Sequence, residues 1–286
     1  MSFVNITRGD ARGTSFFFWG VRHGSYLNGV STSALANGTA SAMGRARAIN
    51  EFAVTRPTAT AVAKVGDNGT YGTWTQTPTD AMTGTSGFAI FDETFETVAQ
   101  GRKIYSDNSY RVVADSANCV NYRSLILIAN SPATSQETAT RGLAGYYVHI
   151  YLAVTASPSG ESYNINEAVS FPYSLIFDET ALDVFGTTLL DADYGTTQAA
   201  RLRFFSQYPV HGGAYVGDGS ASQTIVTSYT PAAASVDAVQ VAINGTRRAY
   251  TTDYTVDPAT KTITFTGTLP AAGQQAVYLY QFLPEC

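Results

Sequence analysis

Short segments of alternating side chains, each ended by turn residues, are the feature that most limits what this chain can fold into. Residues 58–65 alternate small polar and apolar side chains, and residues 66–69 then supply the turn sequence Gly-Asp-Asn-Gly. Residues 71–76 follow as a second strand-like segment, so the pair predicts a β-hairpin. Residues 125–129 are an uninterrupted apolar run with the length of a buried strand.

Residues 147–154 carry the clearest strand pattern. Their two faces differ in side chains: one would carry Val148, Ile150, Leu152 and Val154, and the other Tyr147, His149 and Tyr151. We expect a strand that is partly covered on both faces. Residues 171–177 predict a further strand, with Pro172 near its end or at a sheet edge, because proline cannot donate a hydrogen bond to a neighbouring strand.

Helical patterns are scarce. The best candidate spans residues 93–100, with Asp92 as the cap and Gly101 as the stop, and a second short helix is expected over residues 179–185. Carboxylates cluster at the start of both segments, where a helix favours negative charge, so we interpret them as capping groups rather than a catalytic pair. One or two short helices among many strands predict a mainly β fold.

Changes in composition along the chain suggest three regions. Residues 1–50 hold an aromatic cluster followed by a stretch rich in Gly, Ser, Ala and Asn, which favours an arm or long loop that orders against a neighbour. An ordinary strand followed by a long surface loop is the alternative. Residues 51–215 are predicted to form the main β-barrel or sandwich domain. Residues 222–286, after a glycine-rich boundary at 211–221, are predicted to form a small Ig-like β-sandwich.

The surface composition favours contacts with other subunits. Charged residues make up only 14% of the chain, against roughly 25% in a typical soluble domain, and hydroxyl groups cost far less to desolvate than unpaired ions. All but three of the 17 basic residues are Arg, which protein interfaces favour over Lys. A GC-rich genome would give the same bias. The side chains that we expect to make assembly contacts are Phe16, Phe17, Phe18, Trp19, Tyr26 and Leu27.

Several classes of function are disfavoured. The net charge of −5 and the absence of a basic run argue against nucleic-acid binding. No run of about 18 apolar residues predicts a membrane span. Cys119 and Cys286 are far apart, which favours free thiols, although a disulfide between them stays open. The three histidines lie in unrelated contexts without a metal-binding motif, and no nucleophile motif or phosphate-binding loop occurs. We therefore expect no metal, no cofactor and no enzymatic activity.

Two groups of segments resemble proteins of bacteriophage particles. Residues 65–74, with 84–85, 91–92 and 100–101, resemble the hairpin and following helix of phage major tail proteins, also called tail tube proteins. Residues 239–245, 253–257, 263–265 and 269–273 resemble small β-modules appended to phage fibre, decoration and tail proteins. These are turn and strand patterns, so their combination carries more weight than any one of them.

The resemblance implies a structural subunit of the virion, made in the host cytoplasm. It implies homo-oligomeric rings, expected to be hexamers, that stack into a tail tube whose lumen DNA passes through. The other partners would be virion proteins. We expect no contact with a membrane and no sequence-specific binding of nucleic acid. Capsid decoration, or cement, and tail adaptor proteins are alternatives of the same class. A carbohydrate- or receptor-binding β-sandwich is the alternative of another class, for which exposed Trp19 or Trp74 would stack on sugar rings.

Overall fold

Strands dominate the structure. A computed structural model describes residues 16–23, 26–28, 35–46, 49–66, 69–76, 81–107, 110–114, 122–133, 145–160, 170–178 and 201–284. The one helix among these residues is a short π-helix, Phe95–Ala99, with Glu93 and Thr94 as an α-helical start. No helix in this part of the chain is long and apolar enough to cross a membrane. The mainly β fold class is confirmed.

The described strands range from two to 13 residues in length. In chain order they are β1 (Phe16–His23), β2 (Tyr26–Asn28), β3 (Ala40–Ala42), β4 (Gly44–Ala46), β5 (Ile49–Thr55), β6 (Thr60–Gly66), β7 (Gly69–Gln76), β8 (Thr83–Phe88), β9 (Lys103–Asp107), β10 (Tyr110–Ala114), β11 (Ser124–Pro132), β12 (Tyr146–Pro158), β13 (Phe171–Phe177), β14 (Arg201–Ser206), β15 (Val210–Val216), β16 (Thr224–Val226), β17 (Val239–Ile243), β18 (Thr246–Arg247), β19 (Tyr254–Asp257), β20 (Thr262–Phe265) and β21 (Gln275–Gln281). β6 and β7 form the hairpin predicted from residues 58–76, which is confirmed.

The main sheet is antiparallel and has the strand order β2-β1-β11-β12-β13-β8-β5, with β4 added to β1 and β14 added to β12. β12 is long enough to pair with two strands in succession. Its residues 146–151 pair with β14, and its residues 154–158 pair with β13. The strands predicted at residues 125–129, 147–154 and 171–177 are confirmed as β11, β12 and β13.

The prediction that Val154 shares a face of the strand with Val148, Ile150 and Leu152 is wrong. Val154 lies beside Leu125 in a different core from Val148. Pairing moves from Leu127 opposite Tyr151 to Leu125 opposite Val154, so that Ile126 faces two residues of β12. This β-bulge adds one residue to β12 and reverses the alternation beyond it.

The main sheet rolls over on itself. Phe52 of β5 lies 5.2 Å from Phe17 of β1 and 5.4 Å from Tyr151 of β12, measured between ring centroids, so the last strand of the sheet covers its middle. The π-helix closes the same core through Phe95, whose ring lies 5.3 Å from Trp19. The predicted cap is confirmed, because the backbone N–H of Phe95 donates to the Asp92 carboxylate over 3.0 Å. The second helix, predicted at residues 179–185, lies outside the described residues.

The C-terminal part is a β-sandwich. One sheet has the order β18-β17-β21-β15-β3 and the other β16-β20-β19. The inward residues Ile225, Tyr254, Ile263 and Phe265 are buried between them. β17 and β18 are joined at Asn244 and Gly245, whose φ angles of 50° and 71° suit the tight hairpin turn that an Asn-Gly pair favours.

The main sheet and the sandwich share one hydrophobic core. β15 and β17 are buried along their whole length, because the β16-β20-β19 sheet covers one face and Ile128 and Val148 of the main sheet belong to the same core on the other. The buried Asn130 side chain of β11 accepts from the Val210 N–H over 2.7 Å and donates to the Val210 carbonyl over 3.0 Å.

Residues 211–216, which the sequence placed in a loose boundary, form most of β15 instead. The two glycines there let a neighbouring strand approach closely: a Cβ added to Gly213 would lie 2.3 Å from the Tyr278 hydroxyl. β15 pairs with β21 on one side and with β3 on the other. One sheet thus takes strands from residues that the sequence assigned to three separate regions.

Candidate assembly surfaces

The N-terminal aromatic residues predicted to make assembly contacts lie mainly inside the chain. Phe17, Phe18 and Trp19 are 2%, 0% and 1% exposed, so they pack the protein's own cores and present no surface to a partner. Phe16 is half-buried, with its ring 5.3 Å from that of Phe282. Tyr26 and Leu27 belong to β2, but their side chains lie outside the described residues.

The run of four aromatic residues at positions 16–19 is itself the sequence pattern that indicates a buried strand. Phe18 belongs to the core shared with the sandwich, whereas Phe17 and Trp19 belong to the core of the rolled sheet. A strand covered on both faces needs apolar side chains at every position, without alternation. Four consecutive aromatic residues therefore fit a central strand, which was the alternative to an arm.

The outer side of the rolled sheet carries a surface that suits assembly. We call it the hydroxyl face, and its exposed residues are Glu51, Ala53 and Thr55 of β5, Thr83 and Thr85 of β8, and Ser174 and Ile176 of β13. They form rows across the sheet, because Thr83 pairs with both Thr55 and Ile176, and Thr85 pairs with both Ala53 and Ser174. Most of these side chains are small.

The hydroxyl face has low charge and ends at a strand without a described partner. Glu51 is its one ionisable group, and the Glu51 carboxylate accepts a hydrogen bond from Thr85 over 3.2 Å. β5 pairs with β8 on one side and is the last strand of the sheet among the residues described. Unpaired backbone groups along such an edge readily accept a further strand. Covering this face costs little desolvation energy, because its polar groups are mostly hydroxyls.

A cluster of three arginines lies at one end of the rolled sheet, and we call it the basic cluster. Arg201 and Arg203 are opposite Tyr151 and His149 in the pairing of β14 with β12, and Arg56 directly follows β5. The pKa of the Arg203 guanidinium is lowered by burial and also by the charges of Arg201 and Arg56. Within the described part of the chain no ion pair joins these arginines to a carboxylate.

Two histidines are held in the neutral form. Burial, and then the charges of Arg201 and Arg203, lower the pKa of His149 to about 4. Burial also lowers the pKa of His211 to about 4, although its hydrogen bond with the Met43 carbonyl opposes this. His211 is 1% exposed, and its Nε2 donates to the Met43 carbonyl over 3.1 Å. The buried His211 ring packs against the rings of Phe18, Tyr229 and Tyr280.

Acid is expected to destabilise the protein through His211. The pKa of His211 is about 4 in the folded state and about 6.5 in the unfolded state. The unfolded chain therefore binds a proton more readily, so the free energy of unfolding is highest above pH 6.5 and falls as the pH is lowered towards 4. A tenfold change in proton affinity is worth about 1.4 kcal/mol, which gives a loss of about 3 kcal/mol across that range. Urea unfolding at pH 7 and pH 4.5 would measure it. In the control His211→Gln, which keeps an N–H donor, we expect a smaller loss, and an equal loss in both proteins would contradict the assignment.

A buried ion pair lies beneath the π-helix. Glu96 Oε2 lies 2.9 Å from Arg102 Nη1, and both side chains are more than nine-tenths buried. The Tyr173 hydroxyl donates to Glu96 Oε1, and burial together with the Glu96 charge raises the pKa of Tyr173. These groups join the helix to β13, so their role is structural. Among the residues described, no three His, Cys, Asp or Glu side chains are grouped so that they could hold a metal ion.

The end of the rolled sheet opposite the basic cluster carries a turn with two exposed apolar residues followed by two half-buried acidic residues. Ile90 and Phe91 are exposed by 56% and 40%, and Asp92 and Glu93 follow them. Beside the turn is a cavity of about 400 Å³, which is also lined by Trp19, Gly44 and Arg45. We call residues 90–93 the acidic turn.

The chain matches no protein-family model, and no curated protein is significantly similar to it in sequence.

Proposed function

We propose that this protein is a structural subunit of a bacteriophage virion, a tail tube protein whose copies assemble into stacked rings. The observation that carries the proposal is the hydroxyl face, together with β5 as the last strand of the sheet among the residues described. A ring repeats one heterologous contact, in which different surfaces of the same chain meet. An open sheet edge is a liability in a monomer, whereas in a ring the next copy covers it.

The composition supports the same proposal. Charged residues are only 14% of the chain, and the hydroxyl face shows how the low charge is distributed: one carboxylate among seven exposed residues on three strands. Such a face loses little hydration energy on being covered. The resemblance of residues 65–74, 84–85, 91–92 and 100–101 to phage major tail proteins supports assigning the protein to a phage particle.

The carbohydrate-binding alternative depends on an exposed tryptophan ring, and one of the two candidates is buried. Trp19 is 1% exposed, so its ring cannot stack on a sugar in this fold. The side chain of Trp74 lies outside the described residues.

Assembly of the purified protein tests the proposal. We expect ring-shaped oligomers in negative-stain images and a matching mass in sedimentation velocity runs. Ser174→Lys places a charge on the β13 side of the hydroxyl face, so it should weaken ring formation by at least about tenfold, because a buried unpaired cation is costly. Thr224→Lys is the matched control, since Thr224 is also an exposed hydroxyl residue and lies on β16 of the sandwich.

Persistent monomers of the natural protein, together with phage particles in which it forms no ring, would overturn the proposal. Density for the protein on the outside of the capsid would replace the tail tube with capsid decoration. Equal loss of assembly in Ser174→Lys and Thr224→Lys would remove the hydroxyl face as the contact.

A further inference from the structure

Two arginines of the basic cluster, Arg201 and Arg203, lie on one face of β14. They alternate along the strand with Leu202 and Phe204, which are buried in the core shared with the sandwich. Alternate residues of a strand point to the same side of the sheet, so both arginines face away from that core. Their Cα atoms are two residue steps apart, a distance of about 7 Å.

Arg56 reaches the same region from β5. The Phe52 ring of β5 lies 5.4 Å from the ring of Tyr151, which is opposite Arg201 in the pairing of β14 with β12. Arg56 comes soon after Phe52 in the chain, and its charge acts on Arg203 together with the charge of Arg201. Arg56 and Arg203 are exposed, so a dissolved ligand can reach them.

The residues opposite the two arginines of β14 add no balancing charge. The pKa of His149 is about 4, and burial raises the pKa of the Tyr151 hydroxyl, so both side chains are uncharged at neutral pH. Arg201 Nε and His149 Nδ1 are buried and make no hydrogen bond within the described part of the chain. Buried polar groups normally have a partner, so the contacts described leave the hydrogen-bonding capacity of this cluster partly unused.

The described carboxylates of the rolled sheet make their contacts elsewhere. Glu51 accepts a hydrogen bond from Thr85 on the hydroxyl face, and the charge of Asp178 acts on Arg22. The acidic turn lies at the opposite end of β5, whose length is about 20 Å. Among the residues described, no carboxylate is therefore paired with the three positive charges of the basic cluster.

Three guanidinium groups match a phosphate group better than a carboxylate. A terminal phosphate carries a charge of about −1.5 to −2 at neutral pH and presents at least three acceptor oxygens. A carboxylate carries a single charge and two oxygens, so it would leave most of the cluster's charge unbalanced. Arginine donates two parallel hydrogen bonds to either group, but only phosphate has enough oxygens to engage more than one guanidinium in this way.

We propose that the basic cluster is a binding site for a terminal phosphate group, either free phosphate or a phosphate monoester. Arg56 and Arg203 would donate to the phosphate oxygens, and Arg201 would add its charge from the half-buried side of the site. The site belongs to a single copy of the chain, so the inference does not depend on the proposed assembly.

Equilibrium dialysis of radiolabelled inorganic phosphate at constant ionic strength measures the binding. Two charge-assisted hydrogen bonds correspond to a dissociation constant of about 1 mM or tighter. We expect phosphate to bind at least about tenfold more tightly than acetate or dimethyl phosphate, which compete with only one charge each. Dimethyl phosphate that competes as well as phosphate would overturn the proposal and point to the phosphodiester backbone of a nucleic acid.

Substitution of an exposed arginine assigns the binding to the cluster. Arg203→Gln should weaken phosphate binding by at least about tenfold, because it removes a charged donor, and Arg203→Lys should weaken it less. Arg247→Gln is the control, since Arg247 lies on β18 of the sandwich, and it should leave binding unchanged. If Arg203→Gln and Arg56→Gln both bound phosphate as the natural protein does, the proposal would be wrong.

The pKa of His149 gives an independent readout of where the anion binds. A bound anion offsets the charges of Arg201 and Arg203, so it should raise this pKa above about 4, while burial keeps it below 6.5. Solid-state NMR of the histidine-labelled protein measures the shift, with sulfate as the probe because it stays doubly charged in acid. His211, on which no arginine charge acts, should not change. A pKa of His149 that saturating sulfate does not move would overturn the proposal, whether or not copies of the protein form rings.

Discussion

Phe18→Ala is expected to lower the free energy of unfolding by about 3–5 kcal/mol, the range for removing a fully buried aromatic side chain. Phe18 is 0% exposed, and its ring lies 4.5 Å from the ring of His211 and 5.8 Å from that of Phe282. Alanine would leave a cavity where β1 meets the sandwich, because strands on both sides are held by other contacts and cannot close fully. Urea unfolding of dispersed monomers measures the loss.

Phe91→Ala is the matched control for this prediction. Phe91 is 40% exposed and has one described ring contact, with Phe171, so the cost should be about 1 kcal/mol. If Phe18 were instead a contact between subunits, its replacement would weaken assembly and leave the stability of the monomer unchanged. If Phe18→Ala left the unfolding free energy of the monomer unchanged and abolished assembly, Phe18 would be a contact between copies rather than a core residue.

The elements that could be predicted from the sequence are those fixed by neighbouring residues. The alternation in β12, the apolar run in β11 and the turn at Asn244 and Gly245 each have a local physical cause. Asp92 was identified as a cap for the same reason, because its carboxylate needs to reach only to the third residue after it. Their strands and the helix start are all found at the expected places.

The features that were missed depend on residues distant in sequence. The burial of Phe17, Phe18 and Trp19 on both faces of β1 requires the sandwich on one side and the rolled sheet on the other. The glycines of residues 211–216 resemble a linker until Tyr278 occupies the space that they leave. The bulge that moves Val154 comes from the pairing of β11 with β12, and a pattern within β12 alone cannot show it.

The composition of the candidate surfaces could be predicted from the sequence, but their positions on the fold could not. Low charge and abundant hydroxyl groups indicated an interface, and the pairing of β5, β8 and β13 then brings Thr55, Thr83 and Thr85 onto one face. The basic cluster had no local signal, because Arg56 and Arg201 lie on distant segments and only the fold brings both of their charges near Arg203. The sequence alone showed only that arginine outnumbers lysine.

Arg102→Met is expected to destabilise the protein by about 3–5 kcal/mol, because it leaves a buried carboxylate without its cation. The Glu96 side chain is 3% exposed, and the Arg102 guanidinium lies 2.9 Å from it. The Tyr173 hydroxyl donates to the same carboxylate but carries no charge to balance it. The loss should appear in urea unfolding at neutral pH.

The double variant Glu96→Gln with Arg102→Met shows how much of the lost stability comes from the unpaired charge and how much from lost packing. Glutamine keeps an oxygen that accepts from Tyr173, and methionine fills most of the volume of the arginine stem, so no buried ion is left unpaired. Replacing a buried ion pair with well-packed neutral side chains is often close to neutral, and we expect the double variant to recover all but about 1 kcal/mol of the loss. If it were as unstable as Arg102→Met alone, the cost would come from lost packing around the π-helix and not from the unpaired charge of Glu96.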